Sequence, residues 1–455
     1  MGETEAYHMT RARRTIKQFV WEVAILPMAL ASSVRAQSNL RYTTYTSFNQ
    51  VLEGRNARYL PIARVSDPET GGQLAYTGFF FYQCLQFDVS GRYLLGMRAS
   101  FQNRKVEPTD RADIGFIDLK DRYRWTKIGE TTAWNWQQGA RLQWRPRSDE
   151  VVWNDRAADG KSYVCRLYNF RTGVRRTLNR PIYDLSPDGT TALTHDFERM
   201  KHRGTDYVGI EDKYKNDLAP SETGIWKMDM NTGSAELIMT LDRMAAIVYP
   251  SRRPSSGTLY FFREGWNPPG SRFIAFVKDP ENGLSKAYSM TPNGSGVRYL
   301  YDAPSHHAWQ DDQEVLDFGE HTLPGATSPQ KGFFLFRDDG TGTAKELLWA
   351  TEFDGHDSYL PGPNGDWIIS DTYSIDGFQH LFMYHIPTKL FVPLAKLKST
   401  APKEGIHRVD LHPRFSRDGR IICIDSTYEG LGRQMYVMDI SQILDNPPDH
   451  RKPVQ

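Results

Sequence analysis

Short runs in which apolar and polar residues alternate recur along nearly the whole chain, each closed by Gly, Asn, Asp or Ser. That period of two predicts half-buried strands rather than helices. The clearest runs are LLGMRAS (94–100), ALTHDF (192–197), WIISDTY (367–373) and IICIDSTY (421–428). A second set follows them at regular distance: IGFIDLK (114–120), YVCRLYNF (163–170), GIWKMDM (224–230), HLFMYHI (380–386) and QMYVMDI (434–440).

The turns repeat as well. Ser186-Pro-Asp-Gly189 and Ser416-Arg-Asp-Gly419 are close copies, Val89-Ser90-Gly91 is a shortened one and PGPNGDW (361–367) an expanded one. Grouping strands and turns divides the chain into seven units, at 80–130, 131–180, 181–241, 242–297, 298–351, 352–398 and 399–444. Several short strands per unit, repeated radially, predict an all-β fold, a seven-bladed β-propeller. A six-bladed ring is the competing count, with the unit around SRRPSSG (251–257) as the one misassigned. The last unit lacks an outer strand, and the segment 61–76 (PIARVSDPETGGQLAY) is expected to close the ring from the N-terminal side.

Composition adds little to this and excludes some partners. A formal charge of +1, from 56 Lys+Arg against 55 Asp+Glu, gives no electrostatic case for nucleic acid or for a membrane surface. Three separated cysteines make neither a disulfide framework nor a metal knuckle. Arg11-Ala-Arg-Arg14 and Lys17 precede the largely apolar run Phe19–Val34, which ends in small residues, so a signal peptide is expected at 1–36. Met9 is an alternative start and Arg13-Arg14 a weak twin-arginine signal. Processing would leave no membrane span. The expected organisation is then an N-terminal segment at 37–79, the propeller at 80–445, a tail at 446–455, and export to the periplasm or the medium as a monomer.

Candidate chemistry emerges when the units are aligned on the aromatic residue before each turn. Three residues ahead of Trp309, Tyr359 and Phe415 stand His306, His356 and His412. Equivalent positions of neighbouring blades face one zone of the channel, so these imidazoles are expected to converge on a divalent ion such as Zn²⁺ or Mn²⁺. The alternative is three separate hydrogen bonds to neighbouring backbone. Asp357, Asp371, Asp410 and Asp425 are candidate ligands or orienting groups, and a one-residue bulge would exchange His306 for His307. Cys84, Arg141 and Ile182 occupy the same register in the first three units, and the fourth shows no clear counterpart.

Substrate contacts are expected from Trp136, Gln138 and Arg141 in WNWQQGARLQW (134–144), and from Asp155 at the end of the following strand. The alternation of 407–414 would put Arg408, Asp410, His412 and Arg414 on one strand face, where the arginines suit a sugar carboxylate or an internal salt bridge with Asp410. An insertion at 197–222 offers Arg199, Lys201, His202, Arg203, Tyr207 and Tyr214 as base or charge-neutralising groups, or as a solvated loop. No GxSxG, P-loop, HExxH or Rossmann fingerprint occurs in its required context.

Through DPETG, WNWQQGARLQW, IYDLSPDG, GHDSY, ISDTY and DLHPRFSRDG followed by IDSTYEG, the stretch 60–445 resembles the exported TolB-like propellers of polysaccharide use. These include the oligogalacturonate lyases and the propeller ulvan lyases. The first resemblance implies a metal held by His306 or His307, His356 and His412, and β-elimination on a uronic-acid oligosaccharide or polysaccharide. The second implies a histidine pair, expected near Gln138 and Asp155 where this chain has none, with Arg199 and Tyr207 in the remaining roles. Among the catalytic candidates are therefore Arg199, Tyr207 and His307. A non-catalytic propeller that binds a glycan or protein, and a metal-dependent hydrolase, are the competing readings.

Overall fold

A computed structural model describes residues 42–200 and 205–448. The leader expected at 1–36, Lys201, His202, Arg203 and the end of the tail lie outside the described residues. Seven four-stranded antiparallel sheets form a seven-bladed propeller. Blades 1 to 6 occupy 76–131, 143–178, 184–240, 260–302, 308–350 and 358–398. Blade 7 takes three strands from 414–439 and its fourth from Ala63–Arg64, which pairs with Val437 and Tyr436. The N-terminal segment thus closes the ring as the sequence predicts, and the DPETG turn forms a small hairpin of its own, Glu69–Thr70 with Gln73–Leu74. Among the described residues no helix is long and apolar enough to cross a membrane.

The fourth unit needs correction. SRRPSSG is not a blade turn: it joins the helix Leu241–Val248 to blade 4, whose first hairpin is Tyr260–Trp266 with Phe273–Asp279. The helix is capped by Thr240, whose hydroxyl accepts the Arg243 N–H, and it buries Leu241, Met244 and Ala245. Arg298–Asp302 is then the outer strand of blade 4, not the start of blade 5.

The repeated turn works between blades. In Ser186–Gly189 the Asp188 carboxylate accepts from the Ser186 hydroxyl and the Thr190 N–H, and Gly189 has φ 73°. A Cβ on Gly189 would lie 2.2 Å from the Pro146 carbonyl oxygen of blade 2, so only glycine permits that approach. Gly419, with φ 73°, is placed against blade 6 more loosely, a Cβ there lying 3.1 Å from the Pro361 ring.

At the channel end, polar side chains late in the second strands grip the start of the following blade. Asn154 exchanges both hydrogen bonds with the Ile182 backbone at 2.7 Å. Asp371 accepts the His412 N–H at 2.9 Å, and Asp425 accepts the N–H groups of Phe79 and Phe80 at 3.0 Å. Asp425 is fully buried and also pairs with Arg414 (2.7 Å) and Arg433 (3.1 Å), which closes blade 7 onto blade 1. Replacing Asp425 by Ala strands two buried guanidinium groups. The expected loss in denaturant-unfolding free energy is about 3–5 kcal/mol, against about 1 kcal/mol or less for removing the exposed pair partner Asp242.

Candidate functional site

Each of the three histidines stands two residues ahead of the first strand of its blade, Ala308–Trp309, Ser358–Tyr359 or Arg414–Phe415. All three are buried, and their rings follow one another around the channel, with centroids 4.3 Å apart from His306 to His356 and 4.1 Å from His356 to His412. Carboxylates fix the backbone beneath them. Asp317 accepts the His306 N–H at 2.9 Å, and Asp371 accepts both the N–H and the Nδ1–H of His356, at 2.9 and 2.8 Å, as well as the His412 N–H. With its Nδ1 proton committed, His356 keeps Nε2 as its free lone pair.

Tyr82 supplies a shared aromatic neighbour. It lies in an apolar excursion of blade 1, Phe79-Phe80-Phe81-Tyr82, between the strand Tyr76–Gly78 and the bridge Phe87 to Leu94. Its ring meets His306, His356 and His412 at 6.0, 5.4 and 6.2 Å, and its hydroxyl donates to the His307 carbonyl. Burial, reinforced by nearby Arg263 and His356 respectively, holds the His306 and His412 imidazoles well below their usual range, hence neutral.

These side chains open onto a cavity of about 360 Å³, also lined by Gln138, Arg263, Lys278, Lys331, Asp354, Tyr373 and Arg408. His306 Nδ1 faces Asp354 at 3.1 Å, and its Nε2 lies 3.5 Å from the Tyr373 hydroxyl. Desolvation raises the Tyr373 phenol far above its ordinary value, so it carries its proton. Lys278 donates to Ser285 at 2.9 Å, and Arg408 pairs with Asp410 at 2.8 Å.

The structure supplies the member of the register that the sequence alignment missed. Trp266 pairs with Phe273 just before the turn of blade 4, as Trp309 pairs with Val315 in blade 5, so Arg263 is the counterpart of His306. The signal lies in the WNPPG turn at 266–270, which the irregular SRRPSSG stretch obscures in the sequence. Arg263 and His412 both have left-handed backbones, at φ 54° and 45°. For that reason 407–413 is not the expected strand: only Arg414–Phe415 is, and the arginines part company. Arg408 stays at the cavity, while Arg414 turns to Asp425 and Gln86.

Other expected site residues lie elsewhere. Arg199 is spent on structure: its guanidinium binds Asp212 and the carbonyls of Tyr214, Asp217, Leu218 and Leu259, tying the insertion down. Tyr207 stacks on Phe197 at 4.3 Å, and its hydroxyl accepts from Asn154. His307 is not among the residues lining the cavity; its ring lies edge-on to Phe276 at 5.3 Å, and burial pushes its imidazole down to about 3. Trp136 donates to the Arg104 carbonyl among Phe80, Phe101 and Trp134. Asp155 pairs with Arg166 and the Thr132 N–H. Of the substrate-contact candidates, Gln138 and Arg408 line the cavity, and Arg141 lies behind its wall.

The donor set fits a borderline divalent cation. Donor atoms of His356, Asp410 and His412 lie within 4.8 Å of one another, so Asp410 joins two of the three histidines. The buried Nδ1 of His412 has no hydrogen-bond partner, and a carboxylate already orients His356 from behind.

No family model and no curated protein matches the sequence. Solved structures do superpose. An oligogalacturonate lyase from Vibrio parahaemolyticus shares 13% identity at a TM-score of 0.56, over 84% of this chain and 94% of that one. An oligogalacturonate lyase in complex with manganese shares 15% at 0.57, over 84% and 93%. TolB from Acinetobacter baumannii is a weaker likeness, 13% at 0.36 over 78% and 83%. At these identities the likeness to the two lyases is one of fold: this chain shares their β-propeller architecture.

Proposed function

We propose that the protein is an exported carbon–oxygen lyase that cleaves uronic-acid oligosaccharides or polysaccharides by β-elimination with the help of a divalent cation. The observation that carries the reading is the arc of buried imidazoles opening onto a cavity lined by Arg263, Lys278, Lys331 and Arg408. Cations facing a cavity suit an anionic sugar, and their action is strongest where water is excluded. The shared fold with a lyase in complex with manganese adds support.

A cation held by His356, His412 and Asp410 would neutralise the uronate carboxylate and so acidify the C5–H bond. The side chains account for the rest. Arg263 and Arg408 orient the carboxylate; Arg263 is itself steadied by donating to the Ser305 carbonyl. His306, neutral and braced through Nδ1 by Asp354, presents Nε2 as acceptor for the C5 proton. The C5–H electron pair becomes the C4=C5 bond, the C4–O4 bond breaks, and the protonated Tyr373 donates to the departing oxygen.

Incubation with a panel of uronate glycans is expected to give a near-ultraviolet rise from the new double bond, lost with chelator and restored by Mn²⁺ or Zn²⁺. His412→Ala is expected to abolish it. Cleavage without that absorbance would identify a hydrolase, and no cleavage on any glycan would identify a binding propeller. Asp371→Asn, which loosens His356 and His412 together, is expected to weaken Mn²⁺ binding in calorimetry by about 10–100-fold. An unchanged affinity would remove these histidines from the metal site.

A further inference from the structure

A second cavity, of about 270 Å³, shares a wall with the first. The wall is built from 136–137 and 406–409, and successive residues in each segment serve opposite sides. Gln137 and Arg408 line the first cavity, whereas Trp136, His407 and Val409 line the second. Gln137 joins the two segments by donating to the Ile406 carbonyl at 2.8 Å. Arg433 braces them again, since its Nη2 donates to the Trp136 carbonyl at 3.2 Å and to the Arg408 carbonyl at 3.3 Å. The second cavity opens to solvent beside Asn103 and Gly430, both exposed.

The two cavities differ in charge. The first carries Arg263, Lys278, Lys331 and Arg408. The second is lined by the amides of Gln102 and Asn103, the hydroxyls of Thr400 and Thr427, the His407 imidazole and the Trp136 indole, and among the described residues no carboxylate lines it. Its one cation, Arg433, is 2% exposed and already paired with Asp425 at 3.1 Å. Burial, with Lys105 nearby, lowers the His407 imidazole from its ordinary value, which leaves it uncharged. A cationic ligand would find no countercharge here, and an anion only a guanidinium that is already neutralised.

Two nitrogens of the lining residues are left over. Arg433 Nε and His407 Nδ1 are both buried without a hydrogen-bond partner. Buried polar atoms are nearly always satisfied, so these two mark a place where a further group completes the bonding. Uncharged donors and acceptors beside an aromatic surface are the complement of a hydroxyl-rich ring, because each hydroxyl donates and accepts at once.

We infer that the second cavity is a subsite for an uncharged sugar, so that the preferred glycan sets a neutral sugar close to a uronic acid. This rests on the uronate reading of the first cavity and narrows it: one wall holds a carboxylate on one side through Arg408 and hydroxyls on the other through His407. A glycan made only of uronic acids would carry a carboxylate into a cavity with no free cation, and the desolvation of that charge selects against it.

The test is saturation-transfer NMR on the full chain with a panel of methyl glycosides of neutral hexoses, alone and with saturating D-glucuronic or D-galacturonic acid. At least one neutral glycoside is expected to receive saturation, undiminished by the acids, and the acids are expected to receive it as well. Ala401→Trp, which puts a large ring into the second cavity, is expected to abolish transfer to the glycoside. His407→Ala, which removes a hydrogen-bonding group, is expected to weaken glycoside binding about tenfold. Both positions lie outside any strand, and His407→Ala serves alone if Ala401→Trp does not fold. Transfer to no neutral glycoside, displacement of the glycoside by the acids, or transfer unchanged in the folded variants would overturn the second subsite and leave the first intact. Failure of both acids to receive saturation would instead overturn the uronate reading.

Discussion

The structure depends on a buried polar side chain at the end of one blade accepting backbone N–H groups from the start of the next. Asn154, Asp371 and Asp425 do this at three junctions. A propeller has little covalent reason to hold its channel segments in place, because each inner strand is only two residues long in most blades. Charge-assisted acceptors in a dry interior fix those segments firmly, since an unmade bond there costs its full desolvation.

The same device sets the geometry of the candidate site. Asp371 holds the backbones of His356 and His412 and the tautomer of His356 at once, so two blades present their imidazoles through one carboxylate. Burial keeps His306 and His412 neutral, which leaves each with a ring lone pair available to a cation. Where the cavity needs positive charge it takes Arg263 and Arg408, from blade 4 and from the segment leading into blade 7.

Much of this was legible in the chain. Alternation and repeated Ser-x-Asp-Gly turns carried the blade count and the ring closure, because strand period and turn chemistry are local. The histidine register was readable for the same reason, since equal spacing to a turn means equal position on a blade. Arg263 was lost when a linker rich in Ser, Pro and Arg passed for a turn, and a helix such as Leu241–Val248 has no place in a strand period. Trp136 rests on residue type, and Arg199 and Tyr207 on residue type and a resemblance, neither of which says which partners a side chain meets. Arg199 meets five oxygen acceptors, four from an insertion whose fold cannot be read locally and one from Leu259 ahead of blade 4. Arg408 and Arg414 were assigned one face by assuming a strand, which the left-handed backbone of His412 breaks.

Blade 7 carries His412 and Asp410, and it is finished by Ala63–Arg64 from the other end of the propeller. Two residues of pairing, with Ser66 bonded to Gln434 and Asp425 bonded across to Phe79 and Phe80, join segments more than 340 residues apart. Closing a loop of that length is costly in chain entropy, and the closure is made by buried hydrogen bonds rather than by a long ladder. The imidazole cluster therefore draws on both ends of the propeller: His412 stands beside His356 in a blade that is complete only when the first strand of the chain has joined it.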